Sequence, residues 1–452
     1  MGLKIYLLLL QVPSTLGIFT LASFFLYGGP KLAVPVGMRV QILAIGTHGD
    51  VLPMVAIGVE LASRGHAVTL AAPAPFVTSV ERAGLAFHAL CTEAEYDHLI
   101  RTPNLWRPWR GVQAMFEVIA TLAEPTYRWL AAEQASDVGV VVASTLSLGA
   151  RIAQDKLALP VVVVHVTPFL MESRYAPPRL PGLPLPRLLP ARLRHWIGRG
   201  ADRYVIDPAA LPVLNAFRVT LGLPPVRRLR HWWNLAPTLI LMFPRWYAPP
   251  QPDWPVHALQ VGFPAADRFG DTPELPKDLV VFLRAGSAPL IFTYGSGMRQ
   301  GCSFFKTALR ICRRMGRRGV FLAPQTGQVP PDLSPDVIHV PYAPLTALLP
   351  HAAVLVHHGG IGTVALGLRA GVPQLIVPVA FNHFDEAHRL KALGVGASLS
   401  RSRFTPARGA RALRRLLASH DVTAACQSLR DQAAADDGIG DACDAIELAS
   451  SL

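Results

Sequence analysis

Residues 354–371 read VLVHHGGIGTVALGLRAG, and this stretch decides the fold. The apolar run Val354, Leu355, Val356 reads as a buried strand, and VALGLRAG reads as a helix. Between them lie His357, His358, Gly359, Gly360, Ile361, Gly362 and Thr363. Strand, glycine turn and helix in that order form the repeating unit of a doubly wound α/β sheet, which takes its ligands at the carboxyl ends of its strands. Glycines let the backbone approach a ligand closely. The open N–H groups at a helix start, with the positive end of the helix dipole, favour a phosphate group. A tight turn with no ligand is the plainer reading, but an imidazole and a hydroxyl beside the N–H groups weigh against it. The turn is neither GxxxxGK[ST] nor GxGxxG with a distant acidic partner, so nucleotide hydrolysis and dinucleotide binding both lose ground.

The same alternation runs outward in both directions. Behind the turn lie the strands 290–294 (LIFTY), 320–323 (VFLA) and 337–340 (VIHV), a helix around 304–315, and beyond it the strand 374–377 (QLIV). A first half repeats the pattern with strands 39–45 (RVQILAI), 66–71 (HAVTLA), 138–143 and 160–165, and a helix 53–64 that Gly65 caps. Strands apolar throughout and separated by helices predict parallel sheets covered on both faces. Residues 175–190 and 248–255 are Pro-rich breaks, the second ending the first half, and 262–277 reads as a linker. The expected organisation is an apolar extension 1–37, a first domain 38–262, a linker 263–277, a second domain 278–425 and a helical tail 426–452. The fold class is α/β, with two doubly wound Rossmann-like domains facing across a cleft.

Composition agrees. The chain has 452 residues, 51% apolar and only 16% charged, with a mean hydropathy of +0.32. That excludes a disordered chain, a coiled coil and a collagen-like repeat. Five dispersed cysteines without a CxxC argue against a disulfide scaffold or a Cys-based zinc site and fit a reducing compartment. The net charge of +13 is almost wholly arginine, but no dense stripe interleaves arginine with aromatics, so no nucleic-acid partner is expected. Arg310, Arg313, Arg314, Arg317 and Arg318 read first as a solvated helix face. Arg227, Arg228 and Arg230 beside Trp232 and Trp233 suit a membrane surface or an amphiphilic ligand. Residues 5–27 are apolar enough to span a bilayer but are interrupted by Gln11, Pro13, Ser14 and Thr15. A membrane anchor and residues upstream of a natural start at Met38 are equally good readings of this extension, with a cleaved export signal third.

Two further motifs carry chemistry. Asp50, in the turn GTHGDVLP after the first strand, sits where a carboxylate serves as a general base; followed by Pro53, it also reads as a helix N-cap. Asn382 and His383, in FNHFD after a later strand, offer polar groups to sugar hydroxyls. There is no D-x-D and no HExxH, so no metal is expected and protein groups must meet any phosphate.

The pairing of GTHGDVLP with VPYAPLTALLPHAAVLVHHGGIGTVALGLRAGVPQLIVP resembles the family 1, UDP-glycosyltransferase-like enzymes of GT-B fold. ARIAQDKLALP, FPRWYAPPQPDWP and FDEAHRLKALGVG resemble more narrowly the rhamnosyltransferases of bacterial glycolipid synthesis. The resemblance implies an inverting, metal-independent transfer of a hexose or deoxyhexose from a UDP- or dTDP-linked donor to a hydroxyl of an apolar acceptor, without a cofactor. It implies Asp50 as base, His358, Gly359, Gly360, Gly362 and Thr363 as the diphosphate turn, and Tyr294, Gly295 and Ser296 beside the donor. Val340 and Pro341 are implied against the nucleotide base, and Asn382 and His383 at the sugar, where the family has Asp-Gln. That departure predicts a deoxy sugar. A non-catalytic nucleotide-sugar-binding subunit is the alternative; a lipid-linked GlcNAc transferase ranks lower, because its GGH turn is absent. The acceptor pocket is expected within 175–233, and the location in the cytoplasm, with association to the inner membrane face.

Overall fold

The computed structural model describes residues 37–102, 105–107, 110–133, 139–180, 189–271 and 274–450. The apolar extension, and with it the anchor reading, lies outside them. The first sheet contains β1 (Arg39–Leu43), β2 (Ala67–Ala72), β3 (Ala86–Ala89), β4 (Val140–Ser144), β5 (Val161–His165), β6 (Thr238–Met242) and β7 (Ala258–Val261). The second contains β8 (Leu290–Thr293), β9 (Gly319–Leu322), β10 (Val337–Val340), β11 (Val354–His357), β12 (Gln374–Ile376) and β13 (Gly396–Ser398). Every pairing is parallel. The central strands β4, β5 and β6 are buried at every position, as expected of strands covered by helices on both faces.

Strand order explains where a ligand must sit. The first sheet runs β3-β2-β1-β4-β5-β6-β7 and the second β10-β9-β8-β11-β12-β13. Connections reverse direction between β1 and β4, and again between β8 and β11, and crevices open at such switch points. The turn after β1 leads into the helix whose first turn carries Asp50; the loop after β8 carries Gly295–Ser296, and the turn after β11 carries His358–Gly360 and leads into the helix that carries Thr363. Both glycine turns therefore flank switch points.

The helices that matter to the site are α1 (His48–Ser63), α2 (Arg110–Thr121), α3 (Ala191–Ala201), α4 (Cys302–Met315), α5 (Ile361–Arg369), α6 (His383–Ala392), α7 (His420–Ala435) and α8 (Gly438–Ala449). The break expected at 248–255 does not end the first half, because β7 follows it and completes the first sheet. The last helix, within the expected helical tail, packs onto the first sheet. Ala442, Cys443, Ala445 and Ile446 of α8 lie in the core of the first sheet, and Glu447 bonds His66 at 2.8 Å and Arg64 at 3.0 Å. The chain thus crosses between the sheets twice, and the crossings touch at Gly262 and Gly438, where no side chain fits.

Charge falls largely as expected on α4, whose Arg310, Arg313 and Arg314 face solvent. The Arg/Trp cluster does not form an exposed patch. Arg230 is buried against Asp202 at 3.1 Å, Trp233 is core, and Arg151 and Arg218 pack on the Trp232 ring. All five cysteines are free, and Cys302 alone is exposed.

Candidate active site

Asp50 is placed by its own turn. Gly46 adopts φ +137°, a region side chains rarely enter, and any Cβ there would collide with the Asp50 carboxyl. The N-cap of α1 is Thr47, which corrects the expectation of a cap at Asp50. Asp50 is the third helical residue, and its Oδ2 accepts from the Thr47 N–H at 2.8 Å and the Thr47 hydroxyl at 3.3 Å. This is a capping box with Asp in the position usual for Glu. Burial nevertheless outweighs these bonds and pushes the carboxyl up to about 6.

Across the cleft, α5 begins at Ile361 after the N-cap Gly360, whose backbone is extended. Its first N–H groups have no partners within the helix and open onto the cleft. His357 is committed to structure: its Nδ1 accepts from the Gly359 N–H at 3.2 Å, so its Nε2–H donates to Gln374 at 3.0 Å. His358 is the chemically available imidazole. It is buried, its Nδ1 has no partner among the described residues, and burial pulls it down to about 4, so the ring is neutral at pH 7. A Cβ on Gly360 would stand 2.6 Å from His358 Nε2, and one on Gly295 2.8 Å from His358 Cε1. The imidazole occupies space that two glycines leave open.

The two halves meet here. A Cβ on Gly297 would lie 3.0 Å from Thr47 Cγ2, and one on Gly362 would lie 4.0 Å from Gly49 Cα. Between them runs a cavity of about 450 Å³, within the range of small-molecule sites. Of the expected site residues it is lined by Asp50, Gly295, Ser296, Pro341, His358, Gly360, Gly362, Thr363, Asn382 and His383. Three stand behind it. Tyr294 is 4% exposed, its ring tilted over Phe304 at 4.8 Å. Val340 is in the second sheet's core. Gly359, at φ +104°, backs onto Ile376 and His383.

The walls include residues the sequence did not single out. Tyr342 lines the cavity beside Pro341 and bonds Asp267 in the linker, and His48 bonds Asp271 at 3.1 Å. Trp106 stacks edge-on to Phe381 and touches the Gly297 position. The apolar wall is built mainly by α2 through Val112, Met115, Phe116 and Ile119. The segment 175–233 contributes Leu180, Ala201, Val205, Ile206, Arg230 and Trp233, so the expected acceptor region supplies only one side. Asn382 donates to Glu386 at 3.1 Å, and His383 Nδ1 accepts from the Ala380 N–H at 3.2 Å, with its ring edge-on to His358 at 4.8 Å. Glu386 is wholly buried and pushed up to about 7 by that burial. Among the described residues no three His, Cys, Asp or Glu side chains converge as a metal site, and no helix is long and apolar enough to cross a membrane.

Each half of the chain matches a known family model. Residues 40–175 match the glycosyltransferase family 28 N-terminal domain, and residues 322–443 match the C-terminal domain described as erythromycin biosynthesis protein CIII-like. The chain is 29% identical over 422 residues to an O-mycaminosyltylonolide 6-deoxyallosyltransferase of Streptomyces fradiae, covering 91% of this chain and 97% of that one. It is 27% identical over 370 residues to a vancomycin aglycone glucosyltransferase of Amycolatopsis orientalis, covering 80% and 86%. Among solved structures, the glycotransferase of kitacinnamycin superposes with a TM-score of 0.72 at 21% identity, covering 92% of this chain and all of that one. A spinosyn rhamnosyltransferase complexed with thymidine diphosphate superposes at 0.64 and 18% identity, covering 89% and 98%.

Proposed function

The chain is a glycosyltransferase of GT-B fold, UDP-glycosyltransferase-like in kind, and from that premise we propose that it moves a hexose or deoxyhexose from a nucleotide-diphosphate sugar to a hydroxyl of an apolar acceptor, with inversion and without a metal. The observation that carries this reading is the pairing across one cavity of a carboxyl raised to about 6 with an open helix N-terminus. Asp50 takes the proton of the acceptor hydroxyl as its oxygen bonds the anomeric carbon. The bond from that carbon to the diphosphate breaks, and the diphosphate leaves with the electron pair. Attack from the opposite face inverts the anomeric centre. The departing charge is met by the α5 N–H groups, the Thr363 hydroxyl and the His358 imidazole, a preorganised set that needs no reorganisation. Pro341 and Tyr342 form the surface offered to the base.

The acceptor lies against α2, where Val112, Phe116 and Ile119 make a wall suited to an aglycone or lipid. The names of two matched proteins, a 6-deoxyallosyltransferase and a rhamnosyltransferase, support a deoxyhexose and make thymidine diphosphate the first probe. The test is a thermal-shift panel of UDP- and dTDP-sugars followed by transfer assays. Stabilisation by a nucleotide sugar and turnover with an apolar hydroxyl acceptor are expected; a chain that no nucleoside diphosphate stabilises refutes the reading. Membrane association is part of the proposal and rests on the outer face of α3. There Leu193 is 46% exposed and Trp196 71%, beside the exposed Arg192 and Arg199, an interfacial pattern. Co-sedimentation with phosphatidylglycerol vesicles should fall on Trp196→Ser; unchanged sedimentation refutes this part.

A further inference from the structure

Helix α6 brings Asn382 to the cleft at its start, and one turn along carries Glu386, which has no solvent exposure. Residues four apart share a helix face, so the two side chains meet. Three donors converge on this single carboxylate, and two come from the half of the molecule built on the first sheet. The Thr167 hydroxyl donates to Oε1 at 2.7 Å, the Tyr247 hydroxyl bonds Oε2, and the Asn382 Nδ2 donates to Oε1 at 3.1 Å. The Thr167 oxygen already accepts from the Phe169 N–H at 3.3 Å, so its proton is committed to Glu386. Neighbouring Asp385 reinforces the seam, accepting from the Arg179 N–H at 2.8 Å and from Arg389 at 2.7 Å.

This network fixes the orientation of the Asn382 amide. With Glu386 ionised, turning the amide over would set its oxygen against a carboxylate oxygen inside a buried cluster, which is strongly unfavourable. The nitrogen is therefore held at Glu386. The amide oxygen, with no bond from the described residues, is the group left for the cleft that Asn382 lines. An unrestrained amide presents both a donor and an acceptor. This one presents a fixed acceptor.

We propose that Glu386 is a specificity-determining positioning residue, which locks the Asn382 amide so that its oxygen is a fixed hydrogen-bond acceptor toward the hydroxyls of the donor sugar. Where the resembling family places a carboxylate directly at the sugar, this chain rebuilds an acceptor from an amide and a carboxylate one helical turn away. Because Thr167 lines the same cavity and shares the same Glu386 oxygen, the residue that reads the sugar is also tied to the acceptor side. The inference rests on the donor-site reading above.

The experiment measures Kd for thymidine diphosphate, dTDP-rhamnose and dTDP-glucose with the wild type, Glu386→Gln, Glu386→Met and Asn382→Ala. Thymidine diphosphate should bind all four within about 2-fold, since the diphosphate turn is untouched. Glu386→Gln should keep the wild-type ratio of each sugar nucleotide to the bare diphosphate. The Tyr247 hydroxyl can accept from the new amide nitrogen, which leaves the Gln oxygen on Asn382 and Thr167. Glu386→Met and Asn382→Ala should weaken at least one ratio by ~10-fold, the scale of one such bond. A wild-type ratio in Glu386→Met, or an equal change in Gln and Met, overturns the proposal. So does an unchanged pair of ratios in Asn382→Ala, which decides the matter even where Glu386→Met fails to fold. Failure of the wild type to bind any of the three probes is a different result, and counts against the donor site itself.

Discussion

Asp50→Asn separates a base from a cap by two independent signs. The side chain keeps its shape, and the amide oxygen can still accept from the Thr47 N–H now bonded at 2.8 Å. Turnover should fall ~100-fold or more, the usual scale for loss of a general base, while donor binding is kept. Stability should move the other way. A carboxyl whose ordinary 3.8 is raised to about 6 prefers its protonated form when folded, so the stability it contributes is complete below 3.8 and is lost as pH rises toward 6. At about 1.4 kcal/mol per pH unit, the ionised wild type is destabilised by ~3 kcal/mol at pH 7.5, and Asn escapes this. Asp50→Asn should therefore melt a few degrees above the wild type at pH 7.5 and close to it at pH 4. By the same titration, kcat/KM of the wild type should rise with pH through about 6. Differential scanning calorimetry at both pH values, with donor-saturated rates, checks all of this. A variant that turns over normally, or that is less stable than the wild type at pH 7.5, would show Asp50 to be only a capping residue.

Gly360→Ala should displace His358, because its Cβ would stand 2.6 Å from Nε2; calorimetric Kd for thymidine diphosphate should weaken ~10-fold or more, and wild-type affinity would remove His358 from the diphosphate site. Asn382→Asp sets a second carboxyl where the Asn382 amide now meets Glu386 at 3.1 Å. Its melting temperature should drop more at pH 8 than at pH 6, and adding Glu386→Gln should restore it; an equal drop at both pH values would contradict this. With the clash so relieved, Asn382→Asp with His383→Gln should turn selectivity toward glucose by ~1–3 kcal/mol in competition kinetics, whereas unchanged selectivity would mean that the pair does not read the sugar. If the extension 1–37 is an anchor, removing the residues before Met38 should move the protein to the soluble fraction with unchanged transfer to a soluble acceptor. Full-length protein already soluble without detergent would end the anchor reading.

The fold was legible because buried parallel strands are continuous apolar runs. VIHV and VLVH appear in the structure with the expected bounds, and RVQILAI contains β1. The interior strand β6 (TLILM), buried at every position, was not singled out although its apolar run was there to read; other strands were hidden at the sheet edges. In β3 (AFHA) and β13 (GAS) no residue is buried, so the chain shows no apolar run there. The glycine-turn side of the cavity was legible in the sequence, because glycines have a local reason: a close approach of backbone to the His358 imidazole. The apolar wall was not. Val112, Met115, Phe116 and Ile119 recur at helical spacing, and an apolar stripe facing a cavity reads the same as one facing a core. The Glu386 network was also out of reach, since Thr167, Tyr247 and Glu386 are joined only by the folding of one half against the other.

The central claim is inverting transfer by Asp50 against a metal-free diphosphate site, and one measurement bears on it most directly. The chain would be treated with EDTA, given the nucleotide sugar it binds most tightly and an apolar hydroxyl acceptor, and the anomeric coupling of the product read by proton NMR. The account predicts undiminished transfer under chelation and a product of opposite anomeric configuration to the donor. A product of retained configuration, or activity lost with EDTA and restored by magnesium, would contradict it.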